Sequence, residues 1–268
     1  MSPVKIRWKV SNIVLLLSAV SGAGLLSGTE VTLPPDPAEY CYQVRFAQKA
    51  PASVEWNDPR WGAAETGRLG NFYLRPGINT RFLPETRFKV LYDRAGLYVL
   101  FTVYDRFMVS RAEHQGAVWR DSCVEFFFQP PGELLNYFNV EINRGGSALV
   151  SYSRNAPGEL KKMCRVFWTP AEIEAMQIRV SHPGKTIDVQ AGPDYWSVSF
   201  FLPFRVIEKY TGVEIKVGVT APPWRGNFYK ICSDEEINPH WASWARLSKL
   251  SFHRPTEFGY LFFDTPSE

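Results

Sequence analysis

The run Trp119-Arg120-Asp121-Ser122-Cys123-Val124-Glu125 puts a flat aromatic, a cation and two carboxylates close together in sequence. From Ser122 to Gln129 the residues alternate. Ser122, Val124, Phe126 and Phe128 share one face, and Cys123, Glu125, Phe127 and Gln129 the other. After the break Pro130-Pro131-Gly132, a second run sets Asn139, Glu141 and Asn143 opposite Phe138, Val140 and Ile142. Simple hairpin pairing brings Glu125, Glu141 and Asn143 onto one polar face, with Trp119 at the strand end. An aromatic ring can stack on the C–H side of a sugar while carboxylates and amides take its hydroxyls. The competing account makes Trp119 a rim hydrophobe and the acids solvated strand residues.

The C-terminal third holds a second constellation. Trp224 to Lys230, His240 to Trp244 and Phe252 to Gly259 are rich in aromatics, amides and histidine, and they read as a long loop. Asn227, Lys230, His240 and Arg254 are candidate polar contacts from it, by composition alone. Two other chemistries compete. Glu125 and Glu141, as cross-strand neighbours, could stand near the ~5 Å separation of a retaining glycoside hydrolase. Met108 and His240 could ligate haem. The four histidines form no HxH or HxxxH pair, and there is no glycine-rich phosphate loop or GxSxG elbow.

Strands must position these residues. Phe88–Tyr92 and Leu97–Tyr104 flank the turn at Asp93–Gly96 and read as a hairpin. Ala148–Tyr152, Tyr195–Leu202, Val213–Thr220 and Gly259–Phe263 add further strands. Helix signals are confined to the capping box Thr169-Pro-Ala-Glu172 and to Pro203–Tyr210, stopped by Gly212. Many short strands and one or two short helices give an all-β fold, an antiparallel, jelly-roll-like β-sandwich.

Of the 268 residues 45% are hydrophobic, and the 9 Trp, 12 Tyr and 19 Phe suit a large β core. The net charge of +3 comes from Lys5, Arg7 and Lys9; from residue 24 onward acids and bases balance, which argues against nucleic-acid binding. Those three cations, the apolar run Ile13–Val20 and Ser21-Gly22-Ala23 read as a signal peptide over 1–23. The expected organisation is then an extended arm over 24–50 and one domain over 51–268, secreted or periplasmic, with no membrane contact after cleavage. Cys41, Cys123, Cys164 and Cys232 match no metal spacing; pairing, for instance of Cys123 with Cys232, and free thiols both remain open.

Trp119 to Glu125, the strand carrying Glu141 and Asn143, and Phe252-His-Arg-Pro-Thr-Glu-Phe-Gly259 together resemble the family 9 carbohydrate-binding modules. So do Trp56-Asn-Asp-Pro-Arg-Trp61 and the Leu97-Tyr98…Asp105 strand. The likeness runs from about Val54 to Phe263 and is nearest to stand-alone secreted bacterial members. It implies non-catalytic binding of mono-, oligo- or polysaccharide in carbohydrate catabolism, beside glycoside hydrolases as partners. It also implies a clamp of Trp119 and Phe252, a polar contact at Glu125, and an acid at Glu141 where better-known members carry a basic contact residue. Structural calcium is a family trait, for which Asp105 and Asp121 are the oxygen-rich candidates.

Overall fold

The computed structural model describes residues 36–265 except 134, 157, 158 and 187–193. The expected signal peptide and the first part of the expected arm lie outside the described residues. Fourteen strands are β1 (Cys41–Phe46), β2 (Gly67–Arg68), β3 (Asn71–Tyr73), β4 (Glu85–Tyr92), β5 (Gly96–Asp105), β6 (Cys123–Gln129), β7 (Tyr137–Asn143), β8 (Ala148–Ala156), β9 (Glu159–Phe167), β10 (Arg179–Val180), β11 (Asp194–Pro203), β12 (Trp224–Cys232), β13 (His240–Ser243) and β14 (Gly259–Phe263). Two helices, α1 (Pro170–Ala175) and α2 (Phe204–Thr211), complete the set. Thr169 and Glu172 cap α1 reciprocally, and Gly212 ends α2 at φ 71°. Among these residues no helix is long and apolar enough to cross a membrane.

The strands run β10-β11-β5-β4-β1-β14-β12-β6-β7-β8-β9 in a sheet that curls into two facing layers, with β13 beside β12, β3 beside β13 and β2 beside β4. Pairing is antiparallel except at β1, whose residues 41–44 run parallel to β14 and whose residues 45–46 run parallel to β4. The strand joins the two layers, so this part of the expected 24–50 arm belongs to the sandwich. The layers meet through aromatic rings: Phe88 of β4 stacks on Phe228 of β12 at 3.7 Å, and Phe126 of β6 on the same ring at 4.5 Å. Such pairs add to the burial of ~150–250 Å² per ring.

Several elements differ from expectation: His240–Ser243, read as loop, is β13, and Glu159–Phe167 is the unexpected strand β9. Trp224–Cys232, read as a loop, is the central strand β12. Its core-facing row includes Gly226 and Lys230, which hides the alternation. A side chain at Gly226 would press within 3.1 Å of both Phe126 and Leu261, so glycine lets these two neighbours pack closely over β12. Conversely, Val213–Thr220 alternates but forms no strand. Ile215 and Val217 pack on the core, while the Ile215 amide donates to Glu208 Oε1 at 2.9 Å instead of to a neighbouring strand.

Candidate functional site

The outer face of the layer holding β6, β7, β12 and β13 carries a cleft of about 290 Å³. Its lining includes Trp119, Glu125, Phe127, Glu141, Arg165 and Trp241. The register sets Glu125 directly between Glu141 of β7 and Tyr229 of β12. Because Val124, Phe126 and Phe128 fill the sandwich core, Glu125 and Phe127 must face outward. This is the convergence of Glu125 and Glu141 that the alternation predicted.

Trp119 sits in a single 3-10 turn (Val118–Arg120) pinned from several sides. Val118 is buried, the Ser233 amide donates to Trp119 O at 3.0 Å, and Cys232 Sγ donates to Arg120 O at 3.4 Å. Trp119 remains 38% exposed over the cleft. The Leu250–His253 segment forms another part of the lining. It is closed on itself by Ser248, whose amide and hydroxyl donate to Glu257, and by Arg254, which donates to both Ser248 Oγ and Glu257. Arg254 is therefore a loop brace, not a member of the cleft lining.

Glu125 and Glu141 are 2% and 4% exposed. Burial, then the neighbouring Glu141, pushes Glu125 well above the usual carboxylate range. Burial pushes Glu141 up to about 7, with Arg165 and Asn139 opposing. Asn139 Nδ2 donates to Glu141 Oε1 at 2.9 Å and itself accepts from Ser151 Oγ, which fixes the carboxyl plane. Among the described residues Glu141 Oε2 is buried with no hydrogen-bond partner, and so is Arg165 Nε. Arg165 donates to His253 Nε2 at 2.9 Å. An arginine cannot accept, so His253 carries its proton on Nδ1 and donates it to Tyr137 Oη at 2.7 Å. Burial of the ring nitrogens and the Arg165 charge lower His253 to about 4, which keeps it neutral.

Of the remaining expected contacts, Phe252 lines the cleft and the others lie elsewhere. Phe252 is 7% exposed, with its ring stacked on Tyr229 at 4.0 Å and 12°, so it forms wall and floor more than a free jaw. Asn143 bridges Asp121 Oδ2 and the Ser147 amide. Asn227, fully buried, holds Ala245 through both amide and carbonyl. Lys230 and His240 point into the sandwich, where Lys230 Nζ donates to His240 Nε2 at 2.8 Å and stands 3.4 Å from Asp105 Oδ2. His240 Nδ1 then donates to Asn238 O at 2.6 Å. Both ring nitrogens are engaged, so His240 is not available to haem iron. Sequence reasoning missed Arg75, Arg165, Trp241 and His253. The period-2 pattern around Trp241 was the one available signal, hidden by its reading as loop.

The donor set does not fit the expected calcium site. Asp121 Oδ2 accepts from the Arg111 and Ala112 amides and from Asn143, and Asp105 faces an ammonium. Among the described residues, no three His, Cys, Asp or Glu side chains gather around a common point. The four cysteines are free thiols. Cys123 faces outward with Phe127 while Cys232 packs against Val109 and Ile237, so those two sulfurs lie on different sides of the sheet.

A family model described as carbohydrate-binding family 9 matches residues 76–263. A carbohydrate-binding candidate from Bacteroides uniformis shares the fold with a TM-score of 0.65 at 22% identity, covering 84% of this chain and 99% of that one. A family 9 module from Caldicellulosiruptor kristjanssonii, solved with glucose, gives a TM-score of 0.56 at 13% identity over 85% of this chain and 98% of its own. The cellotriose complex from the same organism gives 0.55 at 13%, over 85% and 96%. No curated protein sequence matches the chain.

Proposed function

Since this chain belongs to carbohydrate-binding family 9, we propose that the cleft beneath Trp119 is its saccharide site and that it binds without catalysis. One observation carries this reading. An acceptor, Glu141 Oε2, and a donor, Arg165 Nε, are buried and unpartnered in the same cleft, beside an exposed tryptophan. Buried polar atoms are nearly always hydrogen-bonded, so such a pair suits a ligand that brings both functions. A sugar hydroxyl donates and accepts through one oxygen. Trp119 would stack on the pyranose C–H face, while Phe127, Trp241 and Phe252 would exclude water. The Caldicellulosiruptor modules of this fold hold glucose and cellotriose, which supports a pyranose of that shape.

The hydrolase reading is weaker on geometry. Glu125 and Glu141 stand side by side on one sheet surface and both are pushed upward, whereas a retaining enzyme needs one of its pair ionised as nucleophile. The test is calorimetric titration of glucose and cello-oligosaccharides into the wild type and Trp119→Ala, with product analysis. Binding without products, lost in the variant, is expected. Binding retained by Trp119→Ala would overturn the site, and released sugar would overturn the non-catalytic reading.

The basic start and apolar run of residues 1–23 support export, and the family supports work beside glycoside hydrolases. N-terminal sequencing of the exported protein should find a start at about residue 24. A start at Met1 would overturn cleavage.

A further inference from the structure

Resting on the saccharide reading of this cleft, we infer that its preferred ligand is a sugar bearing a protonated amine, held between Glu125 and Glu141 while Trp119 covers the ring. This assignment rests on a charge count over the described charged residues around the pair; β8 sets the uncharged Leu149 beside Glu141. From β6 and β7 come the two carboxylates, directly opposite in register and both buried. From β9 comes one guanidinium, Arg165. Neighbouring β12 contributes Tyr229 and Ile231, and β13 contributes Trp241. His253 is held neutral by its two hydrogen bonds. Lys230 lies on the opposite face of β12 with Asp105 as its own counter-ion. Arg75 is an exposed rim residue whose guanidinium lies over the Trp241 ring at 4.9 Å.

Among the described residues the floor therefore carries two buried acids against one half-buried cation, and Glu141 Oε2 has no hydrogen-bond partner. A neutral sugar needs one good acceptor there; a second buried carboxylate beside it only adds repulsion. An ammonium brings three donors and the missing positive charge, and an ion pair in a partly dry cleft is a strong contact. In the free protein a proton can fill the same role. Ligand binding then displaces that proton from the carboxyl pair to solvent, and the ammonium takes its place.

The test uses the full chain and four probes: glucosamine, its β-1,4-linked dimer, the N-acetylated dimer and cellobiose, titrated at pH 7 in two buffers of different ionisation enthalpy. The amine dimer should bind about tenfold or more tightly than cellobiose, with proton release. Glu141→Gln, near-isosteric, should abolish that preference and the proton release; its melting curve checks the fold. Cellobiose binding as tightly as the amine dimer would overturn this inference and leave the saccharide reading standing. So would a preference that survives Glu141→Gln. Binding of none of the four by folded protein would overturn both.

Discussion

Two groups of buried charge occupy opposite faces of the same sheet, and they are built differently. Inside the sandwich, Lys230 is 0% exposed and meets Asp105, His240 and the Ile231 carbonyl. Burial and the adjacent ammonium hold His240 well below its ordinary range, so it stays neutral and the set sums to zero charge. On the outer face, Glu125 and Glu141 are both pushed toward their neutral forms beside the Arg165 cation, and among the described residues Glu141 Oε2 and Arg165 Nε meet no hydrogen-bond partner. Burial of charge is common to both. Asp105 Oδ2 also lacks a hydrogen bond but has the Lys230 ammonium at 3.4 Å, so what separates the two groups is that the interior one carries its own counter-ion while the outer one lines an open cleft.

The contrast breaks most visibly at Lys230. Lys230→Met strands Asp105 in the interior and should cost about 3–5 kcal/mol, read by urea unfolding; a loss below 1 kcal/mol would mean that the interior set was not a closed ion pair. Phe252→Ala should remove about 3 kcal/mol of stability as well as ligand affinity, because the ring is packed on Tyr229. An unchanged melting point would restore it as a free jaw. Trp119→Ala should spare stability and weaken sugar binding by about tenfold or more, since its exposed face has no packing partner to lose.

The smallest effect sharpens the outer-face account. Glu141 titrates at about 7 in the fold against 4.5 in its absence, so the folded state holds the proton more tightly. The stability this confers is complete below pH 4.5 and is lost as the pH rises through about 7. Glu141→Gln should therefore flatten the decline in melting temperature across that window, by about 2–4 °C at pH 8. A decline as steep as the wild type's would remove Glu141 as its source.

Much of this was legible from residue order. The alternation in 122–143 put Glu125 and Glu141 on one outward face because the opposite row is so uniformly apolar. The capping box at Thr169 and the stop at Gly212 were local signals with local causes. The rest depended on partners distant in sequence. Lys230 and Gly226 interrupt the apolar row of β12, and only Asp105 from another strand and the side chains of Phe126 and Leu261 explain them. Phe252 looked like a jaw because no spacing reveals Tyr229 beneath it. Arg165 and His253 are 88 residues apart, and their contact is set by topology alone.

The parallel seam between β1 and β14 has a consequence for how the molecule is made. Gln43 Nε2 donates to Phe262 O across 219 positions, and the same short strand also carries the link to β4. A chain emerging from its N-terminus holds β1 without its main partner until nearly all of the domain has been synthesised. Contacts so distant in sequence slow folding, since the loop must close before they form. During that delay the aromatic row of β4 and β12 stays open to other chains. The sandwich is thus closed by its last strand, and deletion of Gly259–Phe263 should leave β1 unpaired along most of its length and the two layers unjoined.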